Sequence, residues 1–209
     1  MRAYKFLDTE GRAPFTLTPW VPGRWIEAAS AVPCHEGVHA CRPADLSYWL
    51  APTLWEIELE EPVVGTRHKL TARRGRVTAP VDRYPAAARE LSAVCAWRCR
   101  DRAVTALQAA SEDELAFRFA AAATLEELRR LLSAVDDSTS TGTAAALAAD
   151  AAKFAITGPI TEAPFIGACS AGHAAAGLDG DQSVFDAAYA EERAWQSAWL
   201  AATLHLSGH

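Results

Sequence analysis

The chain has 209 residues, a formal net charge of −6, 50% hydrophobic residues and 22% charged residues, the composition of an ordinary globular protein. Its one basic run, "ARRGR" at 72–76, is predicted to form an exposed hairpin tip, so nucleic acid is not an expected partner. The first residues, "MRAYKFLDTEG", have no apolar signal-peptide core, and no segment reaches the ~20 apolar residues of a membrane span. We therefore expect a cytoplasmic protein with no membrane partner and with reduced cysteines.

Residues 1–82 have the alternating periodicity of strands and predict a small antiparallel sheet. The clearest run is 54–60, in which Trp55 begins an apolar face and Glu58 lies in the middle of an acidic face. The last run contains Gly75, which predicts a turn or a bulge. The runs that predict strands are "AYKFL" (3–7), "RWIEA" (24–28), "LWEIELE" (54–60) and "HKLTARRGRVTAPV" (68–81).

Residues 83–209 have helical periodicity and are rich in alanine, so the expected fold class is α+β, with the β-rich region at 1–82 and the helical region at 83–209 packed together as one compact unit. A polar break is predicted at 136–143. Because 158–182 is rich in Gly, Pro and Ala, it predicts an ordered loop with at most a short helix. The predicted helices are 85–110, 111–122, 124–135, 144–156 and 183–206.

Local signals refine the helical region. Ser111 with Glu114, and Thr124 with Glu127, have the spacing of capping boxes and predict two helix starts. The last helix carries a stripe of large residues, which predicts a core face. The members of the stripe are Phe185, Tyr189, Trp195, Trp199 and Leu200.

The segment "CHEGVHAC" at 34–41 contains the spacing H-E-x-x-H, which zinc proteases use to hold their metal. That chemistry requires a helix, because only a helix aims both imidazoles at one metal. Here a proline lies on each side and Gly37 lies between the histidines, so a helix is not expected. We predict instead a turn, with Gly37 at positive φ, and then a short strand at 38–41 that aims His39 and Cys41 to the same side.

A thiolate zinc site is an alternative interpretation of the cysteines. It would use Cys34, His39 and Cys41, or Cys34 and Cys41 together with Cys95 and Cys99. Cysteine is also a small hydrophobic residue, however, and the chain has no C-x-x-C pair. We therefore predict no bound metal.

The interpretation that we favour is a metal-independent small-molecule enzyme of specialised metabolism, with a pocket between the sheet and the helices. His39 is predicted as a general base, Cys41 as a nucleophile or a pocket wall, and Glu58 as an acidic partner. No dinucleotide, P-loop or serine-hydrolase motif is present, so no cofactor is predicted. A short helix is expected at 42–52. The residues predicted to bind substrate are His35, Tyr48, Trp49, Trp25 and Trp55.

The first 80 residues resemble a family of uncharacterised actinobacterial proteins, with shorter phage relatives that begin Y-K and carry a G-[FV]-H-A-C block. The matching pieces here are "AYKFL", "GVHACRPADLSYWL" and "LWEIEL", with a looser match at "AWQSAWLAATLHL". The resemblance implies that residues 1–80 form a unit, and it implies no activity.

Two other function classes stay open. The order "GVHACRPADLSYW" and then "LWEIELE" is similar to that of ADP-ribosyltransferases, which implies that Glu56 or Glu58 would orient the nucleophile and that His39 would contact NAD. The third class is a non-catalytic interaction protein whose Ala-rich helices pair with those of a second copy, as in a homo-oligomer through the helical half, or with another partner.

Overall fold

A computed structural model describes residues 1–135, 139–177 and 180–206. The α+β class is confirmed, because two small antiparallel sheets precede a series of helices. The chain divides into two compact units, of which the first is Met1–Ala88 with the end of the chain from Gln196, and the second is Arg89–Trp195. No helix in the described ranges is long and apolar enough to cross a membrane.

Seven strands form the two sheets in the described residues of the first unit. The four-stranded sheet has the order β1-β4-β7-β2 and the three-stranded sheet has the order β3-β6-β5. An isolated bridge between Tyr4 and Cys41 links β1 to the end of β3. The strands are β1 (Arg2–Leu7), β2 (Ile26–Glu27), β3 (Val38–Ala40), β4 (Thr53–Leu59), β5 (Val63–Gly65), β6 (Leu70–Ala72) and β7 (Arg74–Pro80).

The core of the first unit comes from the alternation of β1 and β4. Ala3 and Leu7 are buried with Ile57 and Leu59 in one hydrophobic cluster, which Trp20 also joins. Side chains on a strand alternate between faces, so the residue midway between Ala3 and Leu7 must point to the same apolar side. That residue is a lysine, and the site is built around it.

The prediction of a turn or bulge at Gly75 is wrong. Gly75 lies within β7, paired with Ile26 and Leu59, and the irregular register of β7 lies opposite Glu56 and Ile57. A Cβ atom at Gly75 would stand 2.7 Å from a methyl of Val38, so glycine is needed here for close packing.

The predicted hairpin tip at 72–76 is also wrong, because β6 passes through Arg73 directly into β7. Arg76 forms an ion pair with Glu58 at 2.7 Å, and its guanidinium stacks on the ring of Trp25. Arg74 stacks on the same ring. Arg74 and Arg76 are therefore parts of a strand with specific partners, whereas Arg73 is exposed between the two strands.

A short 3-10 helix at Pro43–Tyr48 follows β3, with proline in its first turn, and it is shorter than the helix expected at 42–52. Six α-helices follow β7 in the part of the chain that the structure describes, and a second 3-10 turn at Leu131–Ala134 extends the third of them. The helices are α1 (Tyr84–Ala109), α2 (Asp113–Ala121), α3 (Leu125–Arg130), α4 (Ser140–Thr157), α5 (Glu162–Ala176) and α6 (Gln182–Leu204).

One of the two predicted capping boxes is confirmed. Thr124 accepts a hydrogen bond from the backbone N–H of Glu127, and the Glu127 carboxylate accepts one from Thr124 N–H. The box at Ser111 is wrong: Glu112 is the N-cap of α2, and Ser111 takes a φ of 61° in the turn that ends α1.

The prediction of a loop at 158–182 is wrong as well, because α5 occupies fifteen of these residues. A Cβ at Gly172 would lie 2.5 Å from the ring of Phe185, so this glycine permits close packing and does not end the helix. The polar break at 136–143 is shorter than predicted, since α4 begins at Ser140 with Thr139 as its cap. Residues 136–138 of that break lie outside the described residues.

The buried face of α6 differs from the predicted aromatic stripe. Leu200 is buried, but the four aromatic members of the stripe are only half-buried. Polar side chains share the buried positions with Leu200, among them Gln196 and Ser197, at 0% exposure, and Glu192. These polar groups find hydrogen-bond or ionic partners, which is what makes their burial tolerable.

Candidate functional site

A cavity of about 650 Å³ lies within the first unit. It is within the size range of small-molecule sites and has mostly apolar walls. We call it the Lys5 cavity and define it by Lys5, Trp20, His39, Trp49 and Lys69. The other described lining residues are Tyr4, Phe6, Ala13, Pro14, Phe15, Thr16, Thr18, Ile26, Glu27, Ala28, Cys34, His35, Gly37, Val38, Ala40 and Cys41.

Lys5 is the most unusual of these residues. It occupies the core-facing position of β1 and is only 8% exposed. Its ammonium donates one hydrogen bond, to the backbone carbonyl of His39 at 2.8 Å, and lies 4.5 Å from the centre of the Trp20 ring. Burial lowers the pKa of Lys5 to about 8. Cys41 offsets part of this effect, but no aspartate or glutamate among the described residues does so.

His39 lies beside Lys5 on the central residue of β3. Its Nε2 atom is buried and has no hydrogen-bond partner in the described structure, as is also true of Nε1 of Trp20. Burial, and then the positive charges of Lys69 and Lys5, lower the pKa of His39. The imidazole is therefore neutral at neutral pH and keeps one nitrogen able to donate or accept a proton.

A second lysine contributes to the cavity from the residue just before β6. The Lys69 ammonium lies 4.5 Å from the centre of the Trp49 ring and 3.4 Å from the sulfur of Cys34. In the antiparallel pairing of β3 with β6, His39 is opposite Thr71, which places Lys69 on the same face as His39 by alternation. Only Glu27, which is exposed, contributes an acidic group to the described lining. The cavity is thus electropositive in a chain whose net charge is −6.

The turn before β3 explains how this arrangement forms. Gly37 has a φ of 134°, a conformation that side chains other than hydrogen rarely permit, and it lets the chain enter β3 directly after the turn. Val32 and Glu36 form a bridge across the turn, so the H-E-x-x-H residues are not helical, as predicted. His35 is exposed at the cavity and Glu36 accepts hydrogen bonds from the segment at Ala29 and Ser30.

Cys41 lines the cavity but is fully buried there. Its thiol donates to the carbonyl of Tyr4 at 3.5 Å. Burial, and then the charge of Asp45, raise the pKa of Cys41 far above that of a free thiol. At neutral pH it is therefore a protonated wall of the cavity and not a thiolate nucleophile.

The structure brings together four of the eight residues predicted as a site, namely His39, Cys41, His35 and Trp49. The other four lie outside the Lys5 cavity. Glu58 pairs with Arg76, Trp25 stacks under two arginines, and Trp55 donates from its indole N–H to the Thr53 hydroxyl. Tyr48 stacks on the ring of His68 with 3.7 Å between centroids.

No group of three or more His, Cys, Asp and Glu side chains that could hold a metal occurs in the region of the chain that the structure describes. The buried thiols of Cys95 and Cys99 also have raised pKa values, first because of burial. Thiolate ligation would have to overcome that effect.

Sequence reasoning missed Lys5 and Lys69. Two signals point to them in hindsight: the chain has only three lysines, and "AYKFL" places one at an inward position of an otherwise apolar strand. Period-two alternation identifies the anomaly of Lys5 without a structure. The convergence of Lys69 on the same cavity depends on the pairing of β3 with β6, which no local pattern predicts.

Comparisons of the chain with protein-family models, with curated proteins and with solved structures found no match. The resemblance of the first 80 residues to actinobacterial and phage proteins stays a prediction. The geometry of the Lys5 cavity is therefore the basis on which a function can be assigned.

Proposed function

We propose that this chain is a small-molecule enzyme whose ligand site is the Lys5 cavity, and that the ligand is a largely apolar molecule carrying an anionic group. The apolar portion would lie against Trp20, Phe6 and the neighbouring walls. The anionic group would be received by the lysine ammonium groups, which have no carboxylate partner among the described residues.

The observation that carries the proposal is the burial of Lys5. A buried ammonium is costly unless a charge compensates it, and proteins retain such groups chiefly where they function. Lys5 has one backbone acceptor and an aromatic face, but no acidic partner in the described residues, and it lines a cavity. An anionic ligand would supply the missing charge in a water-poor setting, where the attraction is stronger than in bulk water.

His39 is the residue that we assign to proton transfer. It is neutral at neutral pH because of the lowered pKa, and its Nε2 has no protein partner among the described residues. A ligand group that reaches this nitrogen would complete its hydrogen bonding, and the ring could take up or return a proton. Cys41 contributes shape, since its thiol stays protonated.

Binding of two matched fluorescent probes tests the proposal. Anilinonaphthalenesulfonate carries an anionic group, and phenylnaphthylamine has the same ring system without it. We expect the wild-type protein to bind the sulfonate more tightly, and Lys5→Met to weaken the sulfonate about tenfold, a loss of roughly 1.4 kcal/mol, while phenylnaphthylamine binding changes little.

Lys153→Met is the matched control, because Lys153 is an exposed lysine of the second unit. It should leave the affinity for both probes unchanged. Equal sulfonate affinity in the wild type and Lys5→Met would contradict the proposal, since the charge of Lys5 would then have no role in binding.

The ADP-ribosyltransferase alternative gains no observation that favours it. It requires Glu56 or Glu58 beside the NAD that His39 contacts, yet neither glutamate is among the described residues that line the Lys5 cavity. Glu58 is instead paired with Arg76.

A further inference from the structure

We propose that the Lys5 amine is a nucleophile that condenses with the carbonyl group of an oxo acid or an aldehyde acid, forming an imine, while Lys69 binds the carboxylate of the same molecule. This inference rests on the proposed function, because it specifies the substrate class of the same cavity.

The first support is the geometry around the Lys5 nitrogen. Among the described residues, the Lys5 ammonium donates a single hydrogen bond, to the carbonyl of His39, and it also lies 4.5 Å from the centre of the Trp20 ring. An ammonium held by an ion pair would have to break that pair before it reacts. Lys5 has no such pair among the described residues, so the amine can lose a proton at small cost.

The lowered pKa of Lys5, about 8, agrees with this geometry. The pKa of Lys5 is shifted in the direction that amine catalysis requires, since a lower pKa gives more neutral amine at neutral pH. Desolvation is the largest cause. Lysines that form imines in enzymes are commonly activated in this way, by an apolar pocket or by neighbouring positive charge.

The second support is that Lys5 and Lys69 lie in different environments at the same cavity. Lys5 is buried on the core-facing side of β1, whereas Lys69 is half-buried and lies over Trp49. A protonated amine can bind an anionic group but cannot attack a carbonyl. With a pKa of about 8, Lys5 attracts the anionic molecule as an ammonium and reacts only after it has lost a proton, whereas Lys69 keeps the carboxylate bound. Two lysines in different environments at one cavity therefore suit a molecule that carries both groups.

The condensation balances without any oxidant or reductant. The lone pair of the neutral Lys5 nitrogen attacks the carbonyl carbon, and the C=O electron pair moves to oxygen, which takes up a proton. The nitrogen loses its first proton at this stage, which gives the neutral carbinolamine. The hydroxyl group then takes up a second proton and leaves as water, the nitrogen lone pair forms the C=N bond, and the nitrogen gives up its remaining proton. His39, whose backbone carbonyl accepts a hydrogen bond from Lys5 and whose pKa is lowered in part by the charge of Lys5, is the titratable group that we assign to these proton transfers.

Reductive trapping tests the inference. The protein is incubated at neutral pH with para-formylbenzoate and sodium cyanoborohydride, and the modified lysines are mapped by peptide mass spectrometry. Each unit by which an amine's pKa falls gives about tenfold more neutral amine at a pH below both values, so we expect Lys5 to be modified at least about tenfold faster than exposed Lys153 in the same sample.

Two further arms distinguish the roles of the lysines. Benzaldehyde lacks the carboxylate, so Lys69→Met should slow the labelling of Lys5 by para-formylbenzoate several-fold but leave its labelling by benzaldehyde unchanged. Lys5→Met should remove the fast site altogether and leave Lys153 labelled as before.

Labelling of Lys5 no faster than Lys153 would overturn the imine. If Lys5→Met nevertheless weakened binding of the sulfonate probe, the result would support the proposed anion site and contradict only the imine. Equal effects of Lys69→Met on both aldehydes would overturn the carboxylate role of Lys69 alone.

Discussion

The two units of this protein bury charge in opposite ways. In the second unit Glu192 is 4% exposed, and two arginines of α1, Arg98 and Arg102, bind its carboxylate, Arg98 through two hydrogen bonds of 2.9 and 2.7 Å. We call these three residues the Glu192 cluster. In the first unit Lys5 is almost as buried, yet its only hydrogen-bond acceptor in the described structure is a backbone carbonyl. One buried charge is compensated and the other is exposed to a cavity.

The difference separates a structural role from a functional one. The Glu192 cluster has the bidentate geometry that suits guanidinium and carboxylate, and Arg98 also stacks on Trp195 at 3.8 Å. Every charge in it has a partner of opposite sign, so no ligand is needed. The Lys5 cavity lacks such a partner among the described residues, and a perturbed group of that kind at a cavity is a candidate for chemistry.

The largest expected effect comes from breaking the compensated charge. Glu192→Gln leaves Arg98 and Arg102 without a carboxylate, and breaking a buried pair by removing one partner typically costs about 3 kcal/mol or more in unfolding free energy. Urea denaturation measures this loss. Glu191→Gln is the control, because Glu191 is exposed on the same helix and its loss should change stability by at most about 0.5 kcal/mol. Equal stability of the two variants would show that the cluster is not compensated as described.

Removing the uncompensated charge should have the opposite effect on the free energy of unfolding. Lys5→Met should stabilise the protein at neutral pH by about 2 kcal/mol, because each pKa unit is worth ~1.4 kcal/mol and some of the gain is offset by the lost hydrogen bond to His39. The folded-state pKa of Lys5 is lowered to about 8, so the cost of its charge is fully present below that pH. This destabilisation decreases as the pH rises from 8 toward the pKa of lysine in the unfolded chain. The advantage of Lys5→Met should shrink over the same window. Destabilisation by Lys5→Met at neutral pH would contradict the account.

The smallest effect concerns the histidine of the Lys5 cavity. The charge of Lys69 contributes to the lowered pKa of His39, so Lys69→Met should raise that pKa, and Lys153→Met should leave it unchanged. Histidine signals in an NMR pH titration provide the measurement. An unchanged His39 pKa in Lys69→Met would mean that Lys69 does not act on this ring.

Much of the fold could be predicted from local patterns. Alternation at 54–60 and helical periodicity after residue 83 give the α+β class, and the capping box at Thr124 gives a helix start that the structure confirms. The errors occur where glycine has a packing role. Gly75 and Gly172 make room for Val38 and Phe185, contacts that are distant in sequence, so local reasoning assigns them to a turn and a loop.

Half of the predicted site was brought together, for a physical reason. His39 and Cys41 follow from a strand at 38–41, which Gly37 and the neighbouring prolines already indicate. Glu58 and Trp55 are on β4, and their nearness to His39 could be judged only from strand order, since β1 separates β4 from β3. Alternation along β1 already indicates that the charge of Lys5 faces inward. That no acidic side chain pairs with it among the described residues could be learned only from the structure.

The pKa of the Lys5 amine tests the proposed roles of the Lys5 cavity most directly. The chain has only three lysines, so lysine labelled with carbon-13 gives three resolvable side-chain titrations by NMR. We expect the signal that disappears in Lys5→Met to titrate with a pKa of about 8. A value near the ordinary ~10.4 for that signal would show a solvated or paired lysine and would contradict the central claim.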